Sequence, residues 1–219
     1  MLEIACFEIT SAETALRSVA DRIEFCSGHE FGGLTPLIEE FRYLNSVYKT
    51  PIYVMIRPKG GSFMYSELEF DQMKRDVTAF RKAGADGFVF GMLTSRNQID
   101  MAGNRTLIEL AGDVPCTFHR AVDRTADLED SVEKLISLGF RNVLTSGGKS
   151  TAMEGKENLK NLVEKYSHKI NILIGGGVRS HNICELQSFT GGTHFHSSAI
   201  PDYEIFANDD EIKRLKKML

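Results

Sequence analysis

Side chains able to do acid and base chemistry sit where short apolar runs end. Glu24 and Cys26 close the run 22–26, Arg57 closes 52–57, and His119 closes 114–119 with Arg120 and Asp123 just beyond; His194 and His196 fall within 193–197. A carboxylate, a guanidinium and imidazoles brought together shift one another's pKa values toward a range useful for general acid–base catalysis. In that reading Glu24 and His119 exchange protons, Arg57 holds a developing anion, and Asp123 and His196 orient the reacting groups. The bland alternative is an ion-pair network that only fills the molecule, since such networks also perturb pKa values.

Two glycine-rich turns add a second signal: Thr145-Ser146-Gly147-Gly148-Lys149 and Ile174-Gly175-Gly176-Gly177-Val178-Arg179. Turns of this kind present bare backbone N–H groups to a phosphate or carboxylate. Ser146, Gly147, Gly176 and Gly177, joined by the hydroxyls of Ser197 and Ser198, are therefore candidate anion-binding residues. The plainer reading is that glycine only permits tight turns with positive φ.

The four cysteines, Cys6, Cys26, Cys116 and Cys184, are widely spaced with no CxxC pair, which reads as reduced thiols rather than a disulfide framework or a zinc finger. Thiolates select soft ions such as Cu(I). Cys6 and Cys26 end consecutive apolar runs and form a candidate metal pair, whereas for Cys116 and Cys184 a packed thiol is the default. His194-Phe195-His196 could also chelate, though an isolated HxH is only modestly informative.

What must position these residues is a series of strands. β-rich runs at 2–7, 22–26, 52–57, 87–91, 114–119, 142–146, 170–174 and 193–197 alternate with stretches of helical periodicity at 10–20, 37–48, 67–83, 104–111, 128–138, 153–166, 181–189 and 210–218. Gly84 and Gly139 stand where helices need a left-handed terminator, Ser66 and Glu69 have capping-box spacing, and Asp127 opens the helix from 128. Eight βα units predict a (βα)8 TIM barrel, a single domain over 1–219; an open doubly wound sheet is the alternative. Strand alternation puts Glu24 with Cys26 on one face, Met55 with Arg57, Thr117 with His119, and His194 with His196. If those faces point inward, the polar residues meet at the strand ends, where such barrels place their sites.

Composition bounds the partners. The net charge of -4 offers no basic field for nucleic acid, and no apolar run approaches the roughly 20 residues of a membrane span. The opening Met1-Leu2-Glu3-Ile4 lacks a basic n-region, so a cytoplasmic protein is expected.

Six ordered segments carry a resemblance: Asp21-Arg22-Ile23-Glu24-Phe25-Cys26-Ser27, Gly32-Gly33-Leu34-Thr35-Pro36, Met55-Ile56-Arg57-Pro58-Lys59-Gly60-Gly61-Ser62-Phe63, Thr117-Phe118-His119-Arg120-Ala121, Val143-Leu144-Thr145-Ser146-Gly147 and Phe195-His196-Ser197-Ser198-Ala199. Together they resemble the CutC copper homeostasis family from about Leu2 to Ala199. The resemblance implies a TIM barrel, a cytoplasmic location, a homo-oligomer (dimer or tetramer), and copper binding through cysteines that correspond to Cys6 and Cys26. The chain departs from the family in a short ending after Ala199 and in His29, beside Cys26, which either assists a metal or faces solvent.

Two functions follow. One is a copper homeostasis protein holding Cu(I) on Cys6 and Cys26. The other is an enzyme acting on a small anionic metabolite, phosphorylated or sugar-like, through Glu24, Arg57, His119, Asp123 and His196. A purely structural interaction module would expect an exposed apolar or charged patch rather than polar strand ends.

Overall fold

A computed structural model describes residues 1–219. Its strands are β1 (Leu2–Cys6), β2 (Arg22–Phe25), β3 (Ile52–Met55), β4 (Gly87–Phe90), β5 (Cys116–Phe118), β6 (Asn142–Thr145), β7 (Asn171–Ile174) and β8 (His194–Ser197). The helices that follow them in turn are α1 (Ile9–Arg17), α2 (Ile38–Val47), α3 (Glu67–Lys82), α4 (Met101–Ala111), α5 (Leu128–Leu138), α6 (Lys156–Tyr166), α7 (Ile183–Thr190) and α8 (Asp209–Lys217). Every neighbouring pair is parallel, and β8 returns to pair with β1, so the sheet closes in chain order. Closure disposes of the doubly wound alternative and leaves no strand edge unpaired.

Local chemistry explains most element ends. Ser66 and Glu69 form the reciprocal capping box at the start of α3, and the Asp127 carboxylate accepts from the Asp130 amide at the start of α5. Gly84 and Gly139 adopt φ of 91° and 93° just beyond α3 and α5. Several boundaries differ from the sequence reading by one to three residues, and two have a local cause. Helix α4 begins three residues early, at Met101, because Asp100 caps it through the Gly103 amide. Strand β5 is shorter than the run 114–119 because Pro115 has no N–H to donate. Two 3₁₀ turns, His29–Phe31 and Arg120–Arg124, are too short for periodicity to reveal.

Alternation sorts the side chains into two layers. Leu2, Ile4 and Cys6 of β1, with Phe25, Phe88, Phe90, Phe118 and Phe195 of other strands, pack outward against the helices, and all are fully buried. Each such aromatic contributes about 1.5–3 kcal/mol by leaving water. Glu3, Glu24, Thr117, Asn142 and His196 alternate with them and face the lumen. There the Asn171 amide donates to Asn142 Oδ1, and the Asn142 amide donates to Thr117 Oγ1, each at 2.9 Å, so the lower lumen is polar yet satisfied. Cys26, Tyr53, Met55 and Val89 make a small apolar patch on the same inner face. None of the helices is long and apolar enough to cross a membrane.

Candidate functional site

A cavity of about 320 Å³ opens at the C-terminal end of the barrel, and Glu24, Arg57, His119, Arg179, His196 and Ser198 are among the side chains that line it. The expected convergence of Glu24, Arg57, His119 and His196 is therefore present. Strand alternation placed them, as register requires: Ala5 pairs with Glu24, and Glu3 with His196.

Glu3, outside the lining itself, clusters with the lining residues Glu24 and His196, the ligand-capable atoms of the three lying within 4.8 Å of one another. Glu3 is fully buried and bonds His196 Nδ1 through Oε1 at 2.7 Å, while its other oxygen accepts from Arg22. Burial works to raise the Glu3 carboxyl, but Arg22 and His196 outweigh it and hold the carboxyl below its usual range. Burial likewise works to lower His196, and the bond to Glu3 together with the charge of Glu24 turns the balance upward. Glu24 has no such partner: its Oε2 is buried without a hydrogen bond. Burial pushes its carboxyl up to about 7, with the charge of Glu3 adding to the shift and His196 and Arg22 opposing it.

His119 stands across the cavity against Phe63, ring centroids 4.8 Å apart. Its Nδ1 accepts from the Ala121 amide at 3.3 Å, so the proton of the neutral ring sits on Nε2, and Nε2 is buried with no partner. Burial, reinforced by the charge of Arg57, lowers the imidazole to about 3. The ring is neutral at physiological pH and offers an N–H, a donor rather than a base. Gly91 makes room for it, since a Cβ there would lie 2.7 Å from the His119 ring.

Arg57 is 4 % exposed and has no carboxylate partner. Its guanidinium donates to the carbonyls of Phe31 at 2.7 Å, Gly33 at 3.0 Å and Gly61 at 3.3 Å, and its Nε is left unbonded. The cation is thus held in place while its charge remains available to the cavity.

Other expected residues have different tasks. Asp123 does not line the cavity; it pairs with Arg120 at 2.9 Å and accepts from Thr145 Oγ1 at 2.5 Å, the Ser146 amide at 3.1 Å and the Gly148 amide at 3.0 Å. Ser146 Oγ is taken by Asp123, Arg120 and the Lys149 carbonyl, and the Gly147 amide donates to Thr145 Oγ1 at 2.9 Å. The turn after β6, expected to receive an anion at Ser146 and Gly147, is already filled by the protein's own Asp123 carboxylate. Gly176, Gly177 and Ser197 do line the cavity. His29 is exposed at its rim, with its ring centroid 4.6 Å from that of Phe7.

Cys6 and Cys26 lie at adjacent strand ends, as the spacing suggested. The Cys26 amide donates to the Cys6 carbonyl at 2.9 Å, and Cys26 Sγ lies 3.3 Å from the same oxygen. Their side chains, however, face opposite sides of the sheet. Cys26 packs inward with Tyr53, Met55 and Val89, whereas Cys6 belongs to the layer beneath the helices. Both are free thiols, pushed well above the usual cysteine range by burial.

Two important residues escaped sequence reasoning. Glu3 carries the inward signal of alternation on β1, but its short, mostly apolar run hid it. Arg179 ends the Gly175-Gly176-Gly177 turn, and its unpaired charge became visible only once its neighbours were placed.

The chain matches the profile of the CutC family over residues 1–201. It is 40% identical over 199 residues to the copper homeostasis protein cutC homolog of Homo sapiens, spanning 91% of this chain and 73% of that protein. A family protein CutC of Xylella fastidiosa (strain Temecula1 / ATCC 700964) is 41% identical over 198 residues, 90% of this chain and 74% of the relative. Among solved structures, CutC from Streptococcus agalactiae superposes with a TM-score of 0.86 at 30% identity, covering 90% of this chain and 98% of the other.

Proposed function

The chain belongs to the CutC family, and from that premise we propose that it serves copper homeostasis by carrying Cu(I) on the thiols of Cys6 and Cys26. The observation that supports this most directly is the main-chain adjacency of the two residues, which sets the ends of β1 and β2 side by side from positions 20 apart in sequence. Thiolates are the donors Cu(I) prefers, and the ion accepts few of them. Because the sulfurs face opposite sides of the sheet, joint coordination requires the end of β1 or β2 to open locally and turn one side chain. Cys26 is the thiol on the lumen side, beside Met55 of the cavity wall, and is the first that an ion entering from the barrel mouth would meet. Both thiols hold their protons when the site is empty, so loading releases protons and strengthens with pH. A cytoplasmic location and assembly as a dimer or tetramer belong to the same proposal. An anaerobic Cu(I) competition titration of the native protein, Cys6→Ser and Cys26→Ser tests it. Weakening in both variants supports the reading, and indifference to both overturns it.

A second reading is favoured by two buried, unbonded atoms on residues that line the cavity, Glu24 Oε2 and His119 Nε2. Leaving such atoms unpaired costs about 1–3 kcal/mol each, a cost a bound substrate would remove. In this reading the barrel is an enzyme for a small anionic metabolite. Glu24, poised near neutrality, moves the proton; His119 donates its Nε2 proton as a hydrogen bond to developing negative charge; Arg57 supplies the countercharge. Metabolite screening by thermal shift, with Glu24→Gln as the inactive comparison, tests it: a metabolite that stabilises and is turned over only by the native protein supports it.

A further inference from the structure

The cavity is positive within a negatively charged chain. Three arginines, Arg57, Arg120 and Arg179, line it against the single carboxylate of Glu24, while the whole protein carries a net charge of -4. Arg120 is neutralised by Asp123 at 2.9 Å. Arg179 makes no salt bridge, and the charges of Glu211 and Asp202 act on it only from a distance, outweighed by its burial. It is half-buried, and its guanidinium donates to Val178 O at 2.8 Å, Ser197 Oγ at 3.2 Å and Ser198 Oγ at 3.0 Å, all uncharged.

Beside it lies the turn after β7. Gly176 and Gly177 have φ of 105° and 72°, and their amides donate to no protein acceptor, in contrast to the turn after β6, whose amides converge on Asp123. A side chain at Gly176 would come within 3.0 Å of Ser146 Cβ and 3.3 Å of Arg120, so the bare backbone is required there. The two turns are thus opposite in state: one encloses a carboxylate of the protein, the other lines the cavity with amides that have no protein acceptor beside an arginine that makes no salt bridge. Backbone nests of this kind suit a group with several acceptor oxygens.

We propose that the turn after β7 and the end of β8, through the Gly176 and Gly177 amides, Arg179 and Ser198, bind the phosphate of a small phosphorylated metabolite. The inference shares the cavity with the enzymatic reading but does not depend on turnover. A volume of about 320 Å³ is at the small end for ligand sites, so the remainder of the ligand is a few carbons long, extending toward Glu24 and His119.

Calorimetric titration with inorganic phosphate and with glycerol 3-phosphate tests this, on the full chain at low ionic strength. Saturable binding of both by the native protein, weakened about tenfold or more by Arg179→Ala and less by Arg179→Lys, is the expected result. Ser198→Ala weakens both by a smaller factor. Circular dichroism verifies that each variant is folded, and Arg179→Lys serves should the alanine variant fail. No saturable binding by the native protein up to about 10 mM phosphate, or equal binding by the native and both Arg179 variants, overturns the proposal. Glycerol 3-phosphate binding that is lost in Glu24→Gln but indifferent to Arg179 also overturns it while leaving the acid–base cavity intact. Arg179-dependent binding without turnover of any phosphorylated metabolite upholds the phosphate site and counts against the enzyme.

Discussion

Glu3 and His196 meet at 2.7 Å across the β1–β8 seam, 193 residues apart in sequence, so the bond that orients a cavity histidine also ties the barrel shut. Glu3 is the common counterion of His196 and Arg22. Glu3→Gln removes it and leaves two buried cationic groups uncompensated. A loss of about 3–5 kcal/mol is expected by urea denaturation near pH 6. The Glu3 contribution is present above the ordinary glutamate value of 4.5 and fades as pH falls through its depressed folded value. That of His196 is present below 6.5 and fades as pH rises through its elevated one, so the pair stabilises most between those limits. A Glu3→Gln variant as stable as the native protein in that window would contradict this role.

Glu24 predicts the opposite sign. An unfolded glutamate releases its proton near 4.5 and the folded one near 7, so the folded state binds more protons between these values and stability falls as pH rises. Glu24→Gln removes that penalty and should be more stable than the native protein above pH 7, by up to about 3 kcal/mol. Chemical denaturation at pH 5 and 8.5 gives the comparison, and a stability difference unchanged between the two would rule the assignment out.

The turn after β6 depends on one carboxylate. Asp123→Ala takes away the acceptor of the Ser146 and Gly148 amides and the partner of Arg120, with an expected loss of about 2–4 kcal/mol. Limited proteolysis should then cut first near residues 146–150. Resistance equal to that of the native protein would show that the turn holds without it.

Gly91→Ala places a methyl 2.7 Å from the His119 ring. Overpacking of this kind costs about 1–3 kcal/mol, read as a lowered Tm. Because the ring must move, the imidazole resonances of His119 should shift in the NMR spectrum. An unshifted His119 in a fully stable variant would contradict the close packing.

The barrel was legible because its signals are local and repeated: period-two runs, helical periodicity, and caps such as Ser66 and Asp127. The convergence of Glu24, Arg57, His119 and His196 was legible for the same reason, since parity along a strand decides which face a side chain takes. Parity could also have separated the cysteines. Cys6 shares its face with Leu2 and Ile4, and Cys26 shares its face with Glu24, so closeness in the backbone was mistaken for closeness of the sulfurs. Asp123 and Arg179 were not legible, because their roles depend on which charges they meet across loops. Asp123 turns back onto the β6 turn, and Arg179 meets only hydroxyls and a carbonyl.

The copper reading rests on Cys26 and Cys6 acting together despite facing opposite sides of the sheet. An anaerobic Cu(I) titration against a chromophoric chelator, on the native protein, Cys6→Ser and Cys26→Ser, measures this directly. One Cu(I) per chain is expected, with each substitution weakening binding about tenfold or more, which corresponds to about 1.4 kcal/mol. Weak binding that neither substitution alters would contradict the account and leave the cavity, with Glu24, His119 and Arg57, as the seat of function.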